Sequence, residues 1–197
     1  MGDGFSAASI ADGTYLEQMK QQMEHFFNIE PYRTYRNYFT VFTSVAVSPE
    51  SGIQMAGTLI QSNKFNTRLD EFGFHADIEQ VKNYAQRVSS RAADFGRLTV
   101  LVLANHSAFL STTVRDWSGC NITLCCQSND SYPYDQRGLV QHELGGANFG
   151  DLGTEAVSHF DFIRGCTCPG CNALGAFNEA KSRGGFANLS LAGSVNS

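Results

Sequence analysis

His142 and Glu143 are the residues of this chain whose types and spacing most clearly suggest chemistry. They follow an apolar run that begins at Leu139, where they could start the H-E-x-x-H pattern of a zinc-binding helix. In that pattern two imidazoles bind the metal from one helical face, and the glutamate between them acts as general base toward metal-bound water. The second imidazole is missing here, because Gly146 and Ala147 stand at the four-residue and five-residue spacings. The sequence therefore predicts only part of a zinc site.

The remaining zinc ligands have to come from residues downstream of this pair. A zinc site that hydrolyses amides needs about three protein ligands and an open position for water. Glu155 is the predicted carboxylate ligand beside His142, while Asp151 and His159 are alternative donors. A single imidazole supported by carboxylates holds zinc weakly, so we expect a weakened or absent zinc site with Glu143 as the catalytic base. We also expect His142 and Glu143 to open into a concave cleft.

The elements that must position these residues alternate between amphipathic helices and apolar strands. The run 98–104 (LTVLVLA) is continuously apolar, which is typical of a strand covered on both faces. The segment 38–47 (YFTVFTSVAV) is rich in aromatic and β-branched residues and predicts another strand. The site residues fall in a predicted helix at 135–147, so the alternation indicates an α/β layered domain with this helix packed on the sheet. The other predicted elements are helices at 16–27, 78–88 and 174–181 and shorter strands at 108–114 and 121–125.

The composition is that of an ordinary globular domain. The chain has 197 residues, of which 42% are hydrophobic and 17% charged, and residues 1–197 are predicted to form a single domain. The net charge of −5 is not concentrated in blocks, so no nucleic-acid partner is expected. No apolar run approaches the roughly 20 residues of a membrane span. Residues 1–4 do not begin a signal peptide.

Residues 139–164 (LVQHELGGANFGDLGTEAVSHFDFIR) resemble the active-site segment of the immunoglobulin-A-cleaving zinc metallopeptidases of gut bacteria. The pattern of that family is H-E-x-G-G-H-x-F-G-x-L-x-D-E-Y. This chain replaces the second histidine with Ala147, the aspartate with Thr154 and the tyrosine with Ala156. The residues that it keeps are His142, Glu143, Gly145, Gly146, Phe149, Gly150, Leu152 and Glu155. Further segments that resemble the family lie at 2–5, 26–39, 48–52 and 177–181.

The resemblance implies a zincin-like layered domain, with a mixed sheet, helices on both faces and an active-site helix. It implies a zinc endopeptidase in which Glu143 is the general base and His142 and Glu155 lie at the metal. Loss of the second histidine predicts impaired activity. The implied partner is a protein or glycoprotein substrate, immunoglobulin among the candidates, and the implied location is secreted or cell envelope. Family members carry a strand before residues 2–5 and a region after Ser197, and both are expected to be missing here.

Two other classes of function remain open at this point. The chain could be a catalytically dead relative that keeps the fold and binds proteins or glycoproteins. It could also be an altered piece of a metallopeptidase without an independent function. A metal assay separates the zinc endopeptidase from these two classes, and binding without cleavage favours the catalytically dead relative.

All six cysteines fall between residues 120 and 171. An even number suits three disulfides, which export would favour, while plain thiols and a structural zinc site are the alternatives. We expect the adjacent Cys125 and Cys126 to pair with the later cluster rather than with each other. The six residues are Cys120, Cys125, Cys126, Cys166, Cys168 and Cys171.

Overall fold

The apolar run predicted as a central strand forms the middle of a four-stranded sheet. A computed structural model describes residues 1–28, 32–59, 61–88, 98–108, 111–115, 120–127, 140 and 143–144. Within these residues the chain is a mixed α/β domain with three α-helices, a mixed sheet and a separate hairpin. The helices are α1 (Ala7–Ala11), α2 (Thr14–Phe27) and α3 (Ile78–Ala85). The strands are β1 (Gly2–Asp3), β2 (Arg68–Asp70), β3 (Gly73–His75), β4 (Thr99–Ala104), β5 (Ser111–Arg115) and β6 (Asn121–Cys126).

The main sheet has the strand order β1-β4-β6-β5. β4 lies parallel to β1 on one side and to β6 on the other, whereas β5 runs antiparallel to β6 at the edge. The hairpin of β2 and β3 is antiparallel and stands outside this sheet. The predicted strand at 98–104 is confirmed, because β4 occupies 99–104 and its Val100 and Val102 are buried.

Both faces of the sheet are covered by helices, and strand alternation decides which residues face which helix. On one face, Val100 and Val102 of β4 join Val81 of α3 in a single apolar cluster. On the other face, Phe26 of α2 clusters with Cys125 of β6 and with side chains from residues 140 and 144. The coarse prediction of an α/β domain with a mixed sheet is therefore confirmed. No helix in the described part of the chain has the length and apolar character needed to cross a membrane.

The buried carboxylate of Asp3 anchors β1 to the loop between residues 48 and 67. Asp3 is fully buried, and no described lysine or arginine side chain is paired with it. Its Oδ1 accepts hydrogen bonds from the Ser48 hydroxyl at 2.9 Å and from the Lys64 backbone N–H at 2.7 Å. Its Oδ2 accepts from the backbone N–H groups of Phe65 at 3.0 Å and Thr67 at 3.2 Å. Such multiple donation offsets the cost of burying a charge, which isolated carboxylates cannot bear.

The predicted strand at 38–47 is wrong. Arg36–Tyr38 is a short 3₁₀ helix, and residues 39–47 belong to no helix or strand and have no sheet partner in the described part of the chain. Val41 and Phe42 remain 51% and 48% exposed. Strand propensity reflects packing against neighbouring strands, so β-branched and aromatic residues do not form a strand without a partner.

Other differences concern element ends and short elements. The predicted strands at 108–114 and 121–125 correspond to β5 and β6, and the predicted helix at 78–88 ends three residues earlier, at Ala85. The hairpin of β2 and β3 was not predicted, because the region 53–75 has only weak periodicity. The predicted helix at 174–181 lies outside the described residues.

Candidate active site

Glu143 lies on a helical segment that packs against the sheet. Val140 and Leu144 are spaced by one helical turn, and both are buried against the cluster that contains Phe26, Phe27 and Cys125. Glu143 is three residues after Val140, so it shares part of this inward face. The side chain is 9% exposed. The predicted site helix is thus present at residues 140, 143 and 144, and it turns Glu143 toward the strands.

One threonine hydroxyl contacts the Glu143 carboxylate, and a second threonine lies behind it. The Thr113 hydroxyl of β5 donates to Glu143 Oε2 over 2.6 Å, and the Glu143 carbonyl oxygen lies 3.1 Å from the same hydroxyl. Thr113 stands directly opposite Thr123 of β6, and their Oγ1 atoms are 3.0 Å apart. Thr123 is fully buried. The Thr113 hydroxyl therefore binds one carboxylate oxygen of Glu143, and the Thr123 hydroxyl of the adjacent strand contacts Thr113 from behind.

The thiols near this carboxylate are held in their neutral form. Burial raises the pKa of Cys125 well above its usual value, and the neighbouring Cys126 and the Glu143 charge raise it further. Burial also raises the pKa of Cys126 to about 12. Both residues are free thiols in the structure, whereas Cys166, Cys168 and Cys171 lie outside the described residues. Cys120 is buried, and the disulfide pattern of the six cysteines stays a prediction.

The residues predicted to hold zinc lie mostly outside the described part of the chain. His142 and Glu155 belong to this group, as do the alternative donors Asp151 and His159. Among the residues that the structure describes, no three His, Cys, Asp or Glu side chains come together. The described donors near one another here are the Glu143 carboxylate and the Cys125 thiol, fewer than the three or so ligands that a zinc site needs. The zinc ligands therefore remain predictions from the sequence.

The surroundings of Glu143 differ from the expected open cleft. Its carboxylate lies against the Thr113 hydroxyl of β5, and a groove of about 770 Å³ lies beside α2 and the first half of β4. Leu144 lines this groove, and Glu143 is not among its lining residues. The difference follows from helical spacing, because the residue one position after Glu143 points about 100° away around the helix axis.

The groove lies between α2, the extended segment after Tyr38 and the first half of β4. Its described lining residues carry no charged side chains, and they include Met23, Phe39, Phe42 and Leu101. β1 pairs with the last two residues of β4, and the Met1 amino group donates to the Leu101 carbonyl oxygen at 2.8 Å, so Thr99 and Val100 form an open strand edge in the described part of the chain. Tyr38, at the rim, is 85% exposed. The groove is therefore an apolar surface bordered by an unpaired strand edge.

Thr113 and Thr123 are the site residues that sequence reasoning missed. Both lie in short strands where alternation places hydroxyl side chains on one face, which is the signal that could have marked them. Their contact with Glu143 depends on the antiparallel register of β5 and β6, which sets Thr113 beside Thr123 rather than beside Leu124. The register between two strands cannot be derived from a single sequence in this case.

Comparison with known proteins identifies a family for this chain. Residues 1–145 match the family described as IgA Peptidase M64, a family of metallopeptidases. The match includes His142 and Glu143 and ends at Gly145, before the replaced positions Ala147 and Thr154. No curated protein gives a significant match to the chain. Because the family match covers most of the chain and contains the His–Glu pair, the protein belongs to the IgA peptidase M64 family.

Proposed function

We propose that this chain is a zincin-like peptidase domain that hydrolyses peptide bonds with Glu143 as general base. The observation that carries the proposal is the geometry of Glu143, whose Oε2 is fixed by the Thr113 hydroxyl while Oε1 has no hydrogen bond in the described residues. An oxygen in that state can accept a proton from an attacking water. Family membership supports the same role, since the matched residues include this glutamate.

The role of Glu143 in such a reaction can be stated without the metal. Its Oε1 accepts a proton from water as the water oxygen attacks the carbonyl carbon of the scissile peptide. The same oxygen then returns the proton to the leaving amine, so that the carboxylate is regenerated. Zinc, where it binds, supplies polarisation of the water and of the carbonyl. We propose His142 and Glu155 as its ligands on the strength of the sequence pattern.

We further propose that activity is impaired relative to relatives with the complete motif. Ala147 and Thr154 stand where the resembled pattern has a histidine and an aspartate, so the metal has fewer ligands. The experiment compares the parent with Ala147→His and with the double variant Ala147→His/Thr154→Asp, by zinc competition titration and by cleavage of a fluorogenic peptide. Both zinc affinity and cleavage rate are expected to rise with each restored residue.

A matched control for this experiment is Glu143→Gln in each background. It removes the proposed base with little change in shape, and the cleavage rate should fall to background in every case. A parent chain that binds zinc at full occupancy and cleaves as fast as the double variant would overturn the impaired-site proposal. Cleavage that survives Glu143→Gln would overturn the role of Glu143.

The substrate is proposed to be a protein or glycoprotein, with immunoglobulin A as the first candidate, and the location to be secreted or cell envelope. Family membership supports a protein substrate. Incubation of the double variant with purified immunoglobulin A, followed by gel electrophoresis, tests the candidate. Intact immunoglobulin alongside cleavage of another protein would exclude this substrate and keep the peptidase.

A second candidate function is binding of an extended, uncharged protein segment without cleavage. The observation that favours it is the uncharged groove beside the open edge of β4, with Phe39 and Phe42 on its wall. Extended peptides add to such edges through backbone hydrogen bonds, while apolar side chains fill the adjoining surface. A pull-down with immunoglobulin A by the parent, Phe42→Asp and Glu143→Gln separates the two functions. Binding lost in Phe42→Asp and kept in Glu143→Gln, with no cleavage by any of them, favours the binding function.

A further inference from the structure

The hydroxyls of Thr113 and Thr123 form a hydrogen-bonded pair with a defined direction. A threonine hydroxyl carries one proton, and Thr113 uses it toward Glu143 Oε2 at 2.6 Å, the shortest of its contacts. The 3.0 Å contact between the two Oγ1 atoms then requires Thr123 to be the donor. The chain of donation therefore runs from Thr123 through Thr113 to the Glu143 carboxylate.

We propose that Thr113 is a positioning residue for Glu143, which holds Oε2 so that Oε1 is the oxygen that meets water. This inference rests on the proposed function of Glu143 as general base. The contact of 2.6 Å lies within the range of hydrogen bonds from a hydroxyl to a carboxylate, which are roughly twice as strong as neutral ones. Fixing one oxygen removes most rotation about the terminal bond of the side chain, so the other oxygen is pre-oriented.

The surroundings explain why a threonine suits this position. Its β-branched side chain has a restricted χ1 in a strand, and its neighbours in the ladder fix the backbone on one side. Thr123, the donor, is fully buried in β6. Its hydroxyl forms a hydrogen bond with the Thr113 hydroxyl at 3.0 Å. Glu143 is thereby tied to two strands rather than to a loop, and rigid elements hold chemical groups more precisely.

The test replaces the hydroxyl while it keeps the shape of the side chain. The variants are Thr113→Val, Thr113→Ser and Glu143→Gln in the full chain with zinc added, with Thr112→Val as the matched control. Thr112 is the adjacent residue of β5, and it faces Leu124 across the ladder instead of Thr123. The expected result is that Thr113→Val lowers kcat about 10-fold at unchanged KM, the cost of one hydrogen bond to a charged group. Thr113→Ser should restore most of the rate, and Thr112→Val should match the parent.

A second measurement detects the hydrogen bond between Thr113 and Glu143 independently of catalysis. The infrared difference between the parent and Glu143→Gln isolates the carboxylate stretch of Glu143, which responds to hydrogen bonding. The band should shift in Thr113→Val and stay in place in Thr113→Ser and Thr112→Val. A band unmoved by Thr113→Val would overturn the proposal.

The kinetic outcomes separate this inference from the proposed function. If Glu143→Gln abolishes cleavage while Thr113→Val keeps the parent kcat, Thr113 has no positioning role and the general base stands. If the parent cleaves no faster than Glu143→Gln, the proposed function fails and the positioning role falls with it. A loss in Thr113→Val that Thr113→Ser does not restore would assign the effect to packing and overturn the inference.

Discussion

Asp3 and Glu143 are both buried carboxylates, yet the structure surrounds them with different kinds of donor. Asp3 is enclosed by backbone N–H groups of residues 64, 65 and 67 together with the Ser48 hydroxyl, and both of its oxygens are used. Glu143 receives one side-chain hydroxyl on one oxygen. The first arrangement binds a loop to a strand, while the second leaves Glu143 Oε1 without a donor among the described residues.

The number and origin of the hydrogen-bond donors distinguish a structural carboxylate from one suited to chemistry. Backbone donors are fixed by the fold and tie the carboxylate into folding itself. A single hydroxyl on a strand orients the group at small cost in stability and leaves it able to accept a proton. Each prediction below tests one side of this difference.

Removing the Asp3 carboxylate should have the largest effect on stability. Asp3→Ala leaves the buried Phe65 N–H without its acceptor and removes one of two acceptors from the Lys64 and Thr67 N–H groups, so we expect a loss of about 3 kcal/mol in the free energy of unfolding. Urea denaturation followed by circular dichroism measures it. Asp12→Ala is the control, because the exposed Asp12 accepts one hydrogen bond, from the Thr14 backbone N–H at 2.9 Å. A loss in Asp3→Ala no greater than in Asp12→Ala would contradict the structural role.

Glu143→Gln should strongly reduce cleavage and have little effect on stability, the opposite of what is expected for Asp3→Ala. Cleavage should fall by about 10²-fold or more, as expected on loss of a general base, while the free energy of unfolding changes little. The amide oxygen of glutamine can still accept from Thr113, which preserves the local contact. Peptide cleavage and urea denaturation on the same preparation measure both quantities. A large loss of stability in Glu143→Gln would mean that Glu143, like Asp3, is a structural carboxylate, and would contradict the difference between the two residues.

Ser48→Ala should have an intermediate effect on stability and none on cleavage. The Ser48 hydroxyl donates to Asp3 Oδ1 at 2.9 Å and accepts from the backbone N–H of Gly4 at 2.8 Å. Because the Asp3 carboxylate keeps its other donors, we expect a loss of about 1–2 kcal/mol. Thermal unfolding by calorimetry measures it. A loss as large as that of Asp3→Ala would mean that the hydroxyl, rather than the backbone donors, carries the anchor.

The smallest predicted effect concerns the decrease of stability at alkaline pH that the buried Cys126 thiol causes. Burial raises the pKa of Cys126 to about 12 from its ordinary value of 9.0. Above pH 9 the unfolded chain loses this proton first, so it binds fewer protons than the folded chain and stability falls as pH rises toward 12. Urea midpoints from pH 8.5 upward should fall less steeply in Cys126→Ala than in the parent. Equal slopes in the two proteins would show that this thiol does not carry the effect.

The sequence by itself predicted the central strand of the sheet and singled out Glu143 as the proposed general base. A continuous apolar run predicts a strand buried on both faces, as β4 is, because only such a run can be covered by helices on each side. Glu143 was predicted from a local motif, whose meaning does not depend on distant residues. The ligands His142 and Glu155 rest on the same kind of local pattern and stay predictions.

Tertiary structure decided the features that depend on distant partners. β1 has only two residues, and its strand conformation comes from pairing with Leu103 and Ala104, about a hundred residues away in the chain. The segment 39–47 has the composition of a strand but no sheet partner among the described residues, so the strand predicted there from composition was wrong. The contact of Thr113 with Glu143 needs the register of β5 on β6 and the packing of a helix across them. Composition and motifs are local properties, whereas register and packing are set by free energies summed over the whole fold, which is why only the structure distinguishes the two carboxylates.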